Sequence, residues 1–167
     1  MKGPLSIAVP GEIYGYFEAK KKYGNKEISM LDLMQPTIDM CRNGIEVSWS
    51  AVEALTGQEE LILKDPGMRS ILQKIIDFVL IIDTIFLPKI LQIIIKSTYR
   101  QIFVDPATNK TWKEGQIYKR ENFADTLERI GKNGLQEFYT GDTAKALIDD
   151  LNQQNSILTL KDLYGYR

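Results

Sequence analysis

Few residues in this sequence have types and spacings suited to chemistry, and the most informative fact is an absence: no histidine occurs in 167 residues. His-based triads and Cys/His zinc sites are thereby excluded, because the side chain that titrates near neutral pH and the commonest nitrogen ligand are both missing. The single cysteine, Cys41, cannot form an internal disulfide. It falls on an apolar helical stripe with nothing nearby to activate it, so it reads as a small core residue rather than a reactive thiol. Carboxylates are adjacent at Glu59-Glu60 and Asp149-Asp150, but sequence neighbours point about 100° apart on a helix and make poor acid–base couples. Asp65, Asp105, Asp125 and Asp142 stand where turns and helix starts use an aspartate's short acceptor. Neither G-x-G-x-x-G nor a phosphate loop ending in Lys-Ser/Thr is present, so nucleotide binding has no support. No cofactor and no metal are expected, and no catalytic or substrate-binding residue is assigned. What remains is Asn109-Lys110-Thr111, a glycosylation triplet in a polar loop, with Asn109 as a candidate acceptor if the protein is secreted.

The elements that hold these residues follow from patterning. With 44% AVILMFWYC and 26% charged residues the mix is globular, which excludes disorder and collagen. Twenty-one Lys+Arg against 22 Asp+Glu leave a net charge of -1, so no global field draws nucleic acid or an anionic membrane. The segment MKGPLSIAVPGE lacks the apolar run of a secretory signal, and the chain as written is expected in the cytoplasm.

Ser6 to Val9 could be a short buried strand, broken by Pro10-Gly11, after which a helix carries Ile13, Tyr16, Phe17 and Lys20 on one face. Lys20 to Lys22 form its solvated end, and Gly24 offers a left-handed cap. A second helix is signalled by Ser29 with Asp32 and by Leu31, Met34, Ile38 and Cys41, closing at Asn43-Gly44; Pro36 should kink it or mark its start. Ser50 with Glu53 predicts a third, with Gly57 ending it. Later, Asn122 with Asp125 predicts a helix through Phe123, Leu127 and Ile130 that stops near Gly131 or Gly134. The sharpest amphipathic pattern is Ala144, Leu147, Ile148 and Leu151, starting from Thr140 or Asp142. Ile157 and Leu158 form a short extended piece, and Thr159 with Asp162 opens a last helix around Leu163.

Between residues 71 and 95 the composition shifts, with ten isoleucines interrupted by Lys74, Asp77, Asp83 and Lys89 and broken at Pro88. A membrane span needs about 18 or more apolar residues with few charges, so a simple span is disfavoured. Three readings compete for residues 71–100: a buried helical hairpin bent at Pro88, a stretch that belongs to no evolved fold, and an interfacial membrane element.

Five ordered phrases go beyond composition: LSIAVPGEIYGYFEAKKKYG (5 to 24), LMQPTIDMCRNGIEVS (33 to 48), IFVDPATNKTWKEGQIYKRENFADTLERI (102 to 130), GLQEFYTGDTAKALIDDL (134 to 151) and ILTLKDLYGYR (157 to 167). The series resembles the large subunit of γ-glutamyltransferase, also called γ-glutamyl transpeptidase or glutathione hydrolase. On that resemblance, residues 1–70 and 101–167 form a single, incomplete domain, an internal fragment of the large subunit. Residues 71–100 are an Ile-rich insertion with no counterpart in the family pattern, for which a translated intron is the leading explanation. Two smaller departures stand out. Asn155-Ser156 replaces a pair of glycines before ILT, a turn that Asn can keep because it tolerates a left-handed backbone. Thr140-Gly141-Asp142 replaces the family's Asn-Gly-Ser.

The resemblance implies a piece of an N-terminal nucleophile hydrolase (αββα) fold, mainly α with one or two short strands. It further implies an enzyme whose precursor cuts itself to expose a threonine, the threonine's own α-amino group being the base. The γ-glutamyl group of glutathione then passes to water, an amino acid or a peptide, with neither histidine nor metal required. In the family the nucleophilic threonine lies downstream of the last phrase and the donor-binding arginine upstream of the first, so no site residue transfers and these residues alone are expected to be inactive. The implied partners are glutathione, acceptor peptides and the small subunit of the same precursor, with no nucleic acid. The family is extracellular, membrane-anchored or secreted, through an N-terminal anchor this sequence does not show. The alternative is a non-catalytic relative that acts as a decoy or pairs with a full-length subunit. Deprived of the family's sheets, the stripe at Ala144, Leu147, Ile148 and Leu151 is expected to lack a cover, leaving the chain poorly soluble or molten when expressed alone.

Overall fold

A computed structural model describes residues 4–64 and 102–166. The three-way expectation for residues 71–100 therefore lies outside the described residues. The elements are α1 (Glu12–Tyr23), α2 (Met30–Asn43), β1 (Ile45–Glu46), α3 (Trp49–Thr56), α4 (Glu59–Lys64), β2 (Val104–Asp105), β3 (Lys110–Thr111), β4 (Ile117–Tyr118), α5 (Glu121–Asn133), α6 (Leu135–Tyr139), α7 (Asp142–Asn152) and α8 (Leu160–Gly165). The fold is mainly helical, as expected, and its described strands are only two residues long. They pair as two antiparallel ribbons, β1 with β4 (Ile45 opposite Tyr118) and β2 with β3 (Val104 opposite Thr111).

The chain divides into two compact units, Met1–Asp39 with Phe123–Arg167, and Met40–Asn122. In the first, Tyr139, Ala144, Ile148, Leu151, Leu158 and the fully buried Leu163 form the core, with Ile13, Tyr14 and Tyr166 packed against it. The stripe on α7 is thus covered, contrary to expectation: its partners are α1, α6 and α8 of the same unit rather than sheets from elsewhere. In the second unit Val104 and Trp112 are buried, and the Trp112 and Tyr118 rings lie 5.7 Å apart. The backbone joins β1 to β4 beyond the paired residues, since Val47 donates to the Gln116 carbonyl at 2.9 Å and Gly115 donates to the Val47 carbonyl at 3.0 Å. At Gly44, with φ 132, a side chain would be both strained and driven into Ile117.

Several local signals produce the expected geometry. Ser29 Oγ accepts from the Asp32 N–H at 3.0 Å while the Asp32 carboxylate accepts from the Ser29 N–H at 3.0 Å, a reciprocal cap that fixes the start of α2. The same reciprocity joins Thr159 and Asp162 at α8. Asn155 sits at φ 62, so asparagine does hold the left-handed turn before Ile157. Cys41 is buried, as a core residue should be.

Other expectations are corrected. Ser6 to Val9 form no strand, and Ile7 is 41% exposed; a single turn of 3-10 helix covers Pro4–Ser6 instead. Gly24 closes α1 with φ -80 and ψ 157, an extended rather than a left-handed exit. Helix α2 begins at Met30 and runs through Pro36, so proline does not mark its start. Helix α3 is capped by Ser48, whose hydroxyl accepts from Ala51 N–H at 3.4 Å, two residues ahead of Ser50. Helix α5 starts at Glu121, placing Asn122 inside its first turn. Ile157 and Leu158 lie between α7 and α8 outside any helix or paired strand, Leu158 joining the core while Ile157 is exposed.

Because Leu163 is fully buried in the first unit's core, Leu163→Ala should cost about 2–5 kcal/mol through lost contacts and a cavity. Urea unfolding of the purified chain checks this, with a cooperative transition shifted to lower denaturant.

Candidate functional site

The first unit converges on α6, a five-residue helix entered through Gly134 at φ 78 and closed at Thr140. Its neighbours α1 and α7 share a deficiency: each has glycine at its N-cap, Gly11 and Gly141, and so no side chain of its own to satisfy the first backbone N–H groups. Helix α6 supplies both. The Glu137 carboxylate accepts from the Thr143 N–H at 3.1 Å and from the Thr143 hydroxyl at 2.7 Å. Asn133 Nδ2 donates to its other oxygen at 3.3 Å, and Arg129 Nε stands 3.7 Å away. Two residues on, the Tyr139 hydroxyl accepts from the Tyr14 N–H at 3.2 Å and donates to the Pro10 carbonyl at 2.7 Å. Tyr139 stacks on Tyr166 at 5.7 Å, and Tyr14 meets both rings edge-on. A Cβ at Gly11 would collide with the Tyr166 hydroxyl, which explains a glycine beside Pro10.

These groups anchor the backbone and are not arranged for catalysis. The hydrogen bond from the Thr143 hydroxyl holds the Glu137 carboxyl below the usual glutamate range, against the opposing effect of burial, and Asn133 and Arg129 lower it further. A depressed acid whose lone pairs are already engaged is a poor proton donor or acceptor near neutral pH. Asp105 behaves alike in the second unit: the Ala107 N–H donates to it at 2.8 Å, with Gln116 and Thr108 at 3.1 Å, and its carboxyl is lowered chiefly by the Ala107 bond. The turn role expected of Asp105 is therefore met. Glu59 accepts from the Thr111 hydroxyl at 3.0 Å while Glu60 pairs with Lys64, so the adjacent glutamates serve different contacts. Asp149, Asp150 and Asp125 are exposed. Asp142 pairs with Lys145 at 2.9 Å in the first turn of α7. Burial pushes the Cys41 thiol up, which removes thiolate character. Asn109 lies exposed on the turn between β2 and β3.

A cavity of about 730 Å³ opens between α1, α2 and α5 of the first unit, bordered by Ile13, Tyr16, Leu33, Met34, Phe123 and Leu127. Its lining is mainly apolar; of the polar residues that border it, Glu12 and Tyr16 are bonded to each other, and Lys20 and Thr37 complete the set with Tyr23. Among the described residues no group of three or more Cys, Asp or Glu side chains could hold a metal ion. Sequence reasoning missed Glu137 and Tyr139 because it placed no helix at 135–139; the available signal was the pair of glycines, 134 and 141, bracketing an aromatic-rich stretch.

Comparison with known proteins places this architecture. The cephalosporin acylase of Bacillus halodurans superposes with a TM-score of 0.71 at 19% identity, covering 99% of this chain and 25% of that one, a likeness of fold alone. Helicobacter pylori gamma-glutamyltranspeptidase superposes with a TM-score of 0.73 at 25% identity, covering 99% of this chain and 38% of that one. Both neighbours have the N-terminal nucleophile hydrolase fold. The Gamma-glutamyltranspeptidase family model matches residues 1–167, and the chain belongs to that family. Scoloptoxin SSD14 of Scolopendra dehaani is 32% identical over 166 residues, covering 99% of this chain and 23% of the relative. Glutathione hydrolase 3 of Arabidopsis thaliana is 28% identical over 165 residues, covering 99% and 20%. The chain thus spans about a fifth of the length of these curated relatives. No described helix is long and apolar enough to cross a membrane.

A carboxyl with a lowered folded pKa contributes stability that is present above its unfolded value, about 4.3 for glutamate, and is lost as pH falls through the folded value. Glu137→Gln should therefore lower stability at pH 7 and flatten its decline between about pH 5 and 3 relative to wild type. Denaturation midpoints across that range check this; parallel curves for the two proteins would contradict it.

Proposed function

We propose that these residues form part of the large-subunit scaffold of a γ-glutamyltransferase, or glutathione hydrolase, and that they hold architecture while the reacting groups lie elsewhere in the enzyme. The observation that carries this reading is the family match over residues 1–167, joined to a described structure whose two buried carboxylates, Glu137 and Asp105, are engaged in a helix cap and a turn. The complete enzyme moves the γ-glutamyl group of glutathione to water, an amino acid or a peptide. A precursor-derived threonine attacks the γ-carbonyl carbon while its α-amino group takes the hydroxyl proton; the γ-amide C–N bond breaks, cysteinylglycine leaves as the amine with that proton, and the acceptor then cleaves the γ-glutamyl ester and frees the threonine hydroxyl. A histidine-free chain is compatible with this chemistry, since neither proton transfer nor oxyanion binding calls for an imidazole here. The partner is the small subunit of the same precursor, and the complete enzyme works outside the cell, secreted or membrane-anchored. Similarity to hydrolases and transpeptidases does not favour the alternative of a non-catalytic decoy.

The purified 167-residue chain should release no p-nitroaniline from γ-glutamyl-p-nitroanilide above the uncatalysed background. A longer product that adds a threonine-led small subunit should turn it over at rates within the ordinary enzyme range, about 1–10³ per second. Turnover by the 167 residues alone, co-purifying with them, would overturn the reading.

We also propose that residues 71–100 are an insertion the scaffold does not need, an inference supported by their isoleucine bias and by the family phrases on either side. Sequencing the native transcript across codons 60 to 110 should show messages lacking codons 71 to 100; messages that uniformly retain them would contradict it.

A further inference from the structure

Asn109-Lys110-Thr111 is the one Asn-x-Ser/Thr triplet in the 167 residues, and the folded hairpin separates its two working parts. Asn109 is exposed and sits at φ 56, a left-handed conformation in which asparagine is several-fold enriched over most residues. The backbone beneath it is fixed, because its N–H donates to the Asp105 carbonyl at 2.8 Å and the buried Asp105 carboxylate holds Ala107 and Thr108. Thr111 is buried on β3, its hydroxyl committed to Glu59 at 3.0 Å. An oligosaccharyltransferase must engage the Asn amide and the hydroxyl two residues on together. The folded hairpin offers the first and withholds the second.

We propose that Asn109 is an N-glycan acceptor that is modified before the β2–β3 hairpin closes. The Asn109 carboxamide nitrogen attacks the anomeric carbon of an oligosaccharide carried on a lipid diphosphate. A C–N bond forms, the bond from the sugar to the diphosphate oxygen breaks, the amide proton passes to a base of the transferase, and the lipid diphosphate leaves. Folding then moves Thr111 inward to Glu59 and leaves the glycan in solvent, where it displaces no core group. The proposal rests on the reading that the complete enzyme travels the secretory route.

The full chain, expressed behind a cleavable signal peptide in eukaryotic cells, tests it by peptide mass spectrometry at residue 109 and by a mobility shift that peptide N-glycosidase removes. Wild type and Thr111→Ser should carry the glycan, whereas Asn109→Asp, which keeps the tolerance for a left-handed backbone, should not. Transferase and lipid-linked donor added to the purified, folded, unmodified chain should add nothing. An unmodified wild-type chain would overturn the acceptor site, and modification of the folded chain would overturn the order of events. Neither result depends on γ-glutamyl transfer, so failure here and failure of the enzymatic reading are separately visible.

Discussion

The first unit depends on α6 reaching in two directions at once. Helices α1 and α7 both begin at glycines, and a buried helix start without a side-chain acceptor leaves N–H groups whose desolvation costs about 1–3 kcal/mol each. Glu137 and Tyr139, two positions apart on one short helix, supply those acceptors. The glycines are not arbitrary: Gly141 lies against the backbone and side chain of Glu137, so a larger residue there would displace the group that caps α7, and Gly11 lies against the Tyr166 ring that stacks on Tyr139, the acceptor for α1. Close approach and borrowed capping are two sides of one arrangement, and the apolar core of Ala144, Ile148 and Leu163 closes around it.

That arrangement also explains how residues so rich in polar contacts can belong to an enzyme family without displaying a site. Glu137 and Asp105 are the buried carboxylates among the described residues, and both are spent on backbone N–H groups and hydroxyls. Buried acids that serve catalysis keep a face open to substrate and hold a pKa near the working pH. These two are held in the opposite direction. What the described structure offers a γ-glutamyltransferase is rigidity: helix starts fixed by side chains, turns fixed by aspartate, and an aromatic junction where Tyr14, Tyr139 and Tyr166 interlock.

The features legible in the sequence were those whose cause lies within a few residues. Ser29 with Asp32 and Thr159 with Asp162 are reciprocal caps complete in four positions, and Asn155 needs only its own tolerance for positive φ. The amphipathic stripe on α7 was equally visible, but not what covers it, since its partners arrive from α1, α6 and α8. Ser6 to Val9 carry an apolar run that suits a strand, yet among the described residues no strand pairs with it. Helix α6 escaped notice because five residues make too short a period to detect, and its stability comes from the contacts of Glu137 and Tyr139 rather than from propensity. The family was legible from five ordered phrases. A catalytic site was not, and the described residues bring none together.

The central claim is that α6 holds two helix starts for which the local sequence provides no cap. Native-state hydrogen exchange at the Tyr14 and Thr143 amides tests it most directly. The account predicts slow exchange at both in the wild-type chain, selective loss of protection at Tyr14 in Tyr139→Phe, and selective loss at Thr143 in Glu137→Ala, which has no side-chain acceptor. Protection at these amides that is indifferent to either substitution, or that falls equally at both sites in each variant, would contradict it.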